Sequence, residues 1–392
     1  MKCFLMGQRF AKRLAYYHPP RFGETGLPSS PLAGRSTRPF QLHFHQIQTG
    51  VPSVTSLTAA APKTEDAKLR EYYLIRQDMT DIFAGIRNAL TGTLAPLIPI
   101  AQYYFNEDGK AIRPVITMCL AKAINSHLDQ KSPVIVENQR KVCQILEMIH
   151  IAGLYHDDVI DKAESRRNKP SVNCIWGVKK PILAGDFVLG RTMRITAEIN
   201  NEDIAILLKT TIDHIVIGEI MQLGSGKTQE ERFAHYVEKT FKKTASLLAY
   251  SCQAVALLSG SDSTLQTTAF QIGRQLGMAF QLVDDVLDFS ATSAQMGKST
   301  AVDMSQGLAN APVLFAAQMF PQLNAMIDRH FQEPGDVETA FRLILRSDGL
   351  QRTKDLAMQY CDEAITQLAQ LSPSPYQQFL FTLTNKILNR LR

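Results

Sequence analysis

The chain has 392 residues, enough for one large domain or two ordinary ones, and at 45% hydrophobic and 20% charged it can bury a large core. Its net charge of +5 is concentrated in residues 1–64, where eight Lys or Arg face only Glu24, so the basic balance gives no reason to invoke nucleic acid. No apolar run reaches the ~20 residues of a membrane span, and the six cysteines lack metal-binding spacing, which makes buried thiols in a reducing compartment the expectation.

Residues 1–64 combine Ser, Pro and cations around Phe4, Leu5, Phe10 and Leu14 without a long apolar core. That is the profile of a mitochondrial transit peptide rather than a secretory signal. A folded domain is expected over 65–392, with no Pro/Gly/Ser linker to divide it. Apolar residues recur at helical spacing over about 66–90, 111–125, 136–161, 181–197, 203–223, 243–259, 264–289, 310–320, 336–346, 351–371 and 375–391. Convincing strand alternation is absent, so the fold class is all-α.

Asp108-Gly-Lys110-Ala-Ile-Arg113-Pro114 opens the second helical stretch. Cations at that end oppose the helix dipole unless an anion neutralises them, so Lys110 and Arg113 are candidates to hold a diphosphate there. The next stretch ends in His150-Ile-Ala-Gly-Leu-Tyr-His-Asp157-Asp158-Val-Ile-Asp161. On a helix the three carboxylates share one face and repel. A divalent cation removes the conflict, and an all-oxygen donor set suits Mg²⁺ better than Zn²⁺. Arg166 and Arg167 follow, able to pair with that cluster or to bind phosphate oxygens. Leu183-Ala-Gly-Asp186 reads as a helix start, with Asp186 a supporting residue.

Glu219 and Gln222 lie one turn apart in an apolar helix and should be hydrogen-bonded, to a neighbouring helix or toward a cavity. Lys243-Thr244 is expected at a helix opening, for phosphate binding or capping. Phe280-Gln281-Leu-Val-Asp284-Asp285-Val-Leu-Asp288 then repeats the first acidic spacing on a second apolar run. Two such clusters facing each other across a helical bundle would bind several Mg²⁺ and, through them, a polyphosphate. Lys298 and Asp303 follow in a loop.

Taken together these motifs resemble the trans-isoprenyl diphosphate synthases, in their long-chain polyprenyl branch. The resemblance covers residue 66 to the C-terminus and rests on the order G-K-x-x-R-P, D-D-x-x-D, R-R, K-T and F-Q-x-x-D-D-x-x-D. It implies an isoprenoid synthase-type helical bundle around a central cavity. It assigns Asp157, Asp158, Asp161, Asp284, Asp285 and Asp288 to Mg²⁺. Lys110, Arg113, His150 and Arg167 fall to isopentenyl diphosphate, and Arg166, Lys243 and Lys298 to the allylic diphosphate. Thr244 and Gln281 face the developing cation. The family also implies a homodimer or a hetero-oligomer with a divergent second prenyl synthase subunit. A nearly insoluble product adds peripheral contact with the membrane at the matrix face of the mitochondrial inner membrane, and a place in ubiquinone biosynthesis.

Ala152 and Gly153 lie about 6–7.5 Å down the helix axis from Asp157. Bulky aromatics there mark short-chain members of the family; Ala and Gly predict a long product. Departures from the family pattern are Lys162, Asp108, Asn168 and Asn310-Ala311-Pro312. The competing readings are a farnesyl or geranylgeranyl diphosphate synthase and a non-catalytic regulatory subunit. All six acidic residues are kept, which speaks against the second. A terpene cyclase normally lacks the repeated motif.

Overall fold

The computed structural model describes residues 74–91, 96–105, 111–167, 169–224, 228–289 and 301–390. Lys110, Lys298, Asp108 and Asn168, and the leader 1–64, lie outside the described residues. The first helices are α1 (Arg76–Ala89), α2 (Ile98–Ala101), α3 (Ile112–His127) and α4 (Pro133–Ile160). A short antiparallel ribbon, β1 (Ser165–Arg166) with β2 (Lys169–Pro170), follows the first acidic motif. Strand alternation cannot signal so short a pair; it forms where Arg167 adopts φ 52°. After it come α5 (Val172–Trp176), α6 (Lys179–Ile199), α7 (Glu202–Met221) and α8 (Gln229–Thr240). A π-helical turn, Phe241–Ala245, leads into α9 (Ser246–Leu258) and then α10 (Ser263–Leu287). The remainder is α11 (Val302–Ser305), α12 (Ala311–Met319), α13 (Gln322–Asp328), α14 (Asp336–Arg346), α15 (Gly349–Leu368) and α16 (Pro375–Asn389).

The two motif-bearing helices, α4 and α10, both pack on α9; α6 covers another face of α4, and α15 another face of α10. All three central helices are rich in fully buried apolar side chains, among them Leu146, Ile151, Val255 and Leu282. Burying each such side chain stabilises the bundle by about 1.5–3 kcal/mol before entropy is counted. This packing puts the C-terminal ends of α4 and α10, with their carboxylates, around one region.

Two expectations are corrected. Lys243-Thr244 does not open a helix: α8, the π turn and α9 run continuously, with both residues inside the turn. Asp186 is likewise interior to α6, where it lies 3.4 Å from His156 Nε2. The π turn is clasped by two glycines. A Cβ at Gly218 would sit 2.5 Å from the Lys243 nitrogen, and one at Gly277 would sit 2.7 Å from the Ala245 Cα. Only glycine lets α7 and α10 approach the turn so closely, and this fixes the directions of Lys243 and Thr244.

Candidate active site

One open pocket is lined by Asp161 from the first motif and Asp285 from the second, with Lys243, Thr244, Gln281 and Asp303. The repeated spacing therefore brings the two acidic helices to a shared space. Within each motif the inner carboxylate differs from the outer ones. Asp158 is 0% exposed; it accepts the Tyr104 hydroxyl proton at 2.5 Å and two N–H bonds from Arg166, at 2.9 and 2.6 Å. Asp285 is 2% exposed and accepts from the Tyr236 hydroxyl at 2.6 Å, the Gln281 amide at 2.9 Å and the Ala311 backbone N–H at 3.3 Å. These inner residues anchor the helix ends and orient their neighbours.

Asp157 is half-buried and Asp161 exposed. Burial pushes the Asp157 carboxyl up to about 6, against the pull of the Lys243 ammonium; Asp161 is raised for the same reasons. Lys243 is held by Glu219 at 2.6 Å and the Gln222 side-chain oxygen at 2.9 Å. The one-turn spacing of Glu219 and Gln222 thus serves to aim this ammonium. Thr244 donates to the Gln281 oxygen at 3.2 Å, and Gln281 donates onward to Asp285, so a chain of dipoles runs from the π turn to the second motif.

Arg113 Nη1 lies 3.1 Å from His150 Nε2. Burial and the neighbouring arginines hold the His150 imidazole well below its usual range, so it is neutral and accepts this bond. Glu147, one turn before His150, is buried, which raises its carboxyl, while Arg113 and Arg167 pull it down. Arg167 donates to the Tyr104 carbonyl at 3.3 Å. An apolar pocket of about 320 Å³ adjoins Arg113 and is lined by Ile116, Leu248, Phe280 and Thr244; the last residue also lines the acidic pocket.

Ala152 and Gly153 differ. Ala152 is fully buried in the core, whereas a Cβ added at Gly153 would meet no atom beyond its own turn of helix within 4 Å. Gly153 is thus no close-packing glycine.

Several residues of the site carry no local signal in the sequence. Tyr104 and Tyr236 close on the inner carboxylates from remote segments. Arg390, just past α16, reaches Asp284 at 2.8 Å and stacks over Phe280 with its guanidinium carbon 5.0 Å from the ring centroid. Its only hint is the run of cations at the C-terminus.

Among the described residues no three Asp, Glu, His or Cys side chains converge tightly enough to hold a metal ion by themselves. The oxygen-only donors still fit a hard divalent cation, one that keeps part of its shell for water and substrate oxygens.

The polyprenyl synthetase family model matches residues 95–344. Over 351 residues the chain is 45% identical to the all-trans-polyprenyl-diphosphate synthase PDSS1 of Homo sapiens, covering 88% of this chain and 84% of that protein. It is 37% identical over 342 residues to decaprenyl-diphosphate synthase subunit 1 of Schizosaccharomyces pombe, covering 81% and 90%. The crystal structure of a decaprenyl diphosphate synthase from Rhodobacter capsulatus superposes with a TM-score of 0.74 at 28% identity, covering 82% of this chain and 99% of that one. The chain belongs to the polyprenyl synthetase family of prenyltransferases.

Proposed function

We propose that the chain is a long-chain all-trans-polyprenyl diphosphate synthase. It adds isopentenyl diphosphate repeatedly to a farnesyl or geranylgeranyl primer, giving a nona- or decaprenyl-type diphosphate for the ubiquinone side chain. The observation that carries this reading is the single pocket that joins both acidic motifs to Lys243, Thr244 and Gln281. Mg²⁺ held by Asp157, Asp161, Asp284 and Asp288 would supply Lewis-acid stabilisation to the leaving diphosphate.

The chain's own residues account for the rest. Arg113, with neutral His150 as its acceptor, and Arg167 hold the isopentenyl diphosphate beside the apolar pocket. Lys243, fixed by Glu219 and Gln222, meets the negative charge that builds on the departing diphosphate. Such a preset cation costs no reorganisation as the reaction proceeds. Thr244 and Gln281 present their dipoles where the polar and apolar pockets meet, the place where an allylic cation is best stabilised. The isopentenyl double bond attacks there, and its proton leaves to the released diphosphate. Holding both substrates in register supplies much of the acceleration.

Open space at Gly153 supports a long product, because a growing chain needs an unobstructed path below the carboxylates. Residues 1–64 are proposed as a mitochondrial transit peptide and 65–392 as the catalytic domain. Exposed apolar side chains on α6 and α7, such as Leu183, Met193, Ile206 and Ile220, support assembly with a like or divergent synthase subunit. The contact with the inner membrane is proposed as peripheral; no helix among the described residues is long and apolar enough to cross a membrane.

The test is incubation of the purified protein, alone and with a candidate second subunit, with Mg²⁺, farnesyl diphosphate and isopentenyl diphosphate, followed by product mass. A product of about nine or ten isoprene units is expected, and Gly153→Phe should shorten it by several. A C15 or C20 product from the unaltered protein would replace the reading with a short-chain synthase. No product in either mixture would sink it.

A further inference from the structure

Beside the acidic pocket lies a second one, open to solvent, whose lining includes Arg232, His235, Lys239 and His330 and, among the described residues, no carboxylate. The two pockets share Gln222, Tyr236, Lys239, Leu308 and Ala309, so these residues form the partition between them. Two of the basic side chains are fixed by backbone: His235 Nε2–H donates to the Met221 carbonyl at 2.8 Å and His330 Nδ1–H to the Gly307 carbonyl at 3.3 Å. Those bonds leave the second nitrogen of each ring for a ligand, and in the protonated ring it is an N–H donor whose hydrogen bond an anion can accept. Arg232 is braced by Asn324 at 2.8 Å and Asp328 at 2.5 Å.

Lys239 is the unusual member. Its ammonium lies 5.3 Å from the centroid of the Tyr236 ring and makes no hydrogen bond or ion pair among the described residues. Burial pushes its pKa down and Asp285 and Asp303 pull it back, while Lys243 opposes them. Half-buried between the two pockets and held by no hydrogen bond of its own among the described residues, this ammonium is available to a visiting anion.

We propose that this second pocket is a binding site for inorganic diphosphate, entered from the acidic pocket past Lys239, which receives the diphosphate released in each condensation. The inference rests on the synthase reading above. A long product requires many cycles, and each leaves one diphosphate where the next allylic diphosphate must sit. A cation shared by the two pockets gives that anion a way out that the growing hydrocarbon does not occupy. The diphosphate group of isopentenyl diphosphate has the same chemistry, so the test separates the two sources.

The full-length protein is titrated calorimetrically with inorganic diphosphate in EDTA, where the acidic motifs carry no metal, and in parallel with isopentenyl diphosphate. Inorganic diphosphate should bind, with affinity reduced at least about tenfold in Lys239→Gln and about threefold in His330→Asn, on the scale of lost charge-assisted hydrogen bonds. Isopentenyl diphosphate should be unaffected by His330→Asn. Exposed His330 is the variant least able to disturb folding, and an unchanged Tm checks it. Absence of metal-free diphosphate binding overturns the proposal. So does binding that Arg113→Gln abolishes but Lys239→Gln and His330→Asn spare, or a His330→Asn effect confined to isopentenyl diphosphate. Diphosphate binding in a protein that makes no prenyl product would keep the pocket and sink the synthase reading. Product without such binding would sink the pocket alone.

Discussion

In both acidic motifs the middle aspartate is buried and a tyrosine hydroxyl closes on it, Tyr104 on Asp158 and Tyr236 on Asp285. Beyond that the surroundings diverge. The first inner carboxylate is neutralised by a guanidinium, Arg166, through two N–H bonds. The second accepts hydrogen bonds from neutral groups, the Gln281 amide and the α12 N-terminal N–H of Ala311, and burial pushes it up to about 6, with the Lys239 charge only partly opposing that rise. The outer residues diverge in the opposite sense. Asp284 is met by a guanidinium, that of Arg390, while Asp157 and Asp161 feel Lys243 across the pocket. Identical spacing thus fixes which carboxylate is buried, and segments distant in the chain decide how its charge is balanced.

The largest effect expected is on the outer residues. Asp157→Asn or Asp284→Asn should lower incorporation of labelled isopentenyl diphosphate by about a thousandfold, the scale of losing preorganised charge stabilisation. Far-UV circular dichroism should stay unchanged. If Asp157→Asn retained near-normal incorporation, the two motifs would not share the reaction. The inner residues should separate by stability instead. Asp158→Asn removes the carboxylate that pairs with Arg166 and should cost about 3 kcal/mol or more in urea unfolding. Asp285→Asn breaks no ion-paired hydrogen bond, since the groups bonded to Asp285 are neutral, and should cost about 1 kcal/mol or less. Equal losses would mean that the arginine contributes nothing to the contrast.

The helical architecture and the outer carboxylates are legible in the sequence because both follow from period. A turn of helix brings Asp157 and Asp161 to one side, and apolar residues at the same period say which side is buried. The partners are not legible. Tyr104 is 54 residues from Asp158 and Tyr236 is 49 from Asp285, and no local rule pairs them. Apolar periodicity also passes over α8, where Phe233, Tyr236 and Val237 are few among charges. Its Thr228 and Glu231 nevertheless form a capping box, with Thr228 accepting the Glu231 N–H and Glu231 accepting the Thr228 N–H. The π turn has no propensity signature. It arises because Gly218 and Gly277 let two helices press on one segment, and that is tertiary information.

The pH response should distinguish the motifs in the metal-free protein. The folded chain holds a proton on Asp157 up to about 6, whereas an unfolded aspartate loses it near roughly 4. More protons are bound folded than unfolded in that window, so this residue's contribution to stability improves as pH falls through it and is a penalty above it. Asp157→Asn removes the penalty. In EDTA it should raise stability by on the order of 1–2 kcal/mol at pH 7.5, a gain that vanishes near pH 4. A gain independent of pH would place its origin in packing.

The smallest effect tests the exchange at Asp284. Arg390 and Asp284 have side chains 41% and 36% exposed, and an ion pair of that kind is worth about 1 kcal/mol at most. Arg390 nevertheless occupies an oxygen that a divalent cation would use, so the two cations compete. Arg390→Gln should therefore tighten Mn²⁺ binding, measured by electron paramagnetic resonance without substrate, by no more than about fivefold. The first motif has no such occupant on Asp157 or Asp161, whose cation, Lys243, is already taken up by Glu219 and Gln222. Lys243→Gln should accordingly shift Mn²⁺ affinity less than Arg390→Gln does. The reverse order would mean that the resident cation regulating metal entry sits on the first motif, and the contrast between the outer carboxylates would have to be inverted.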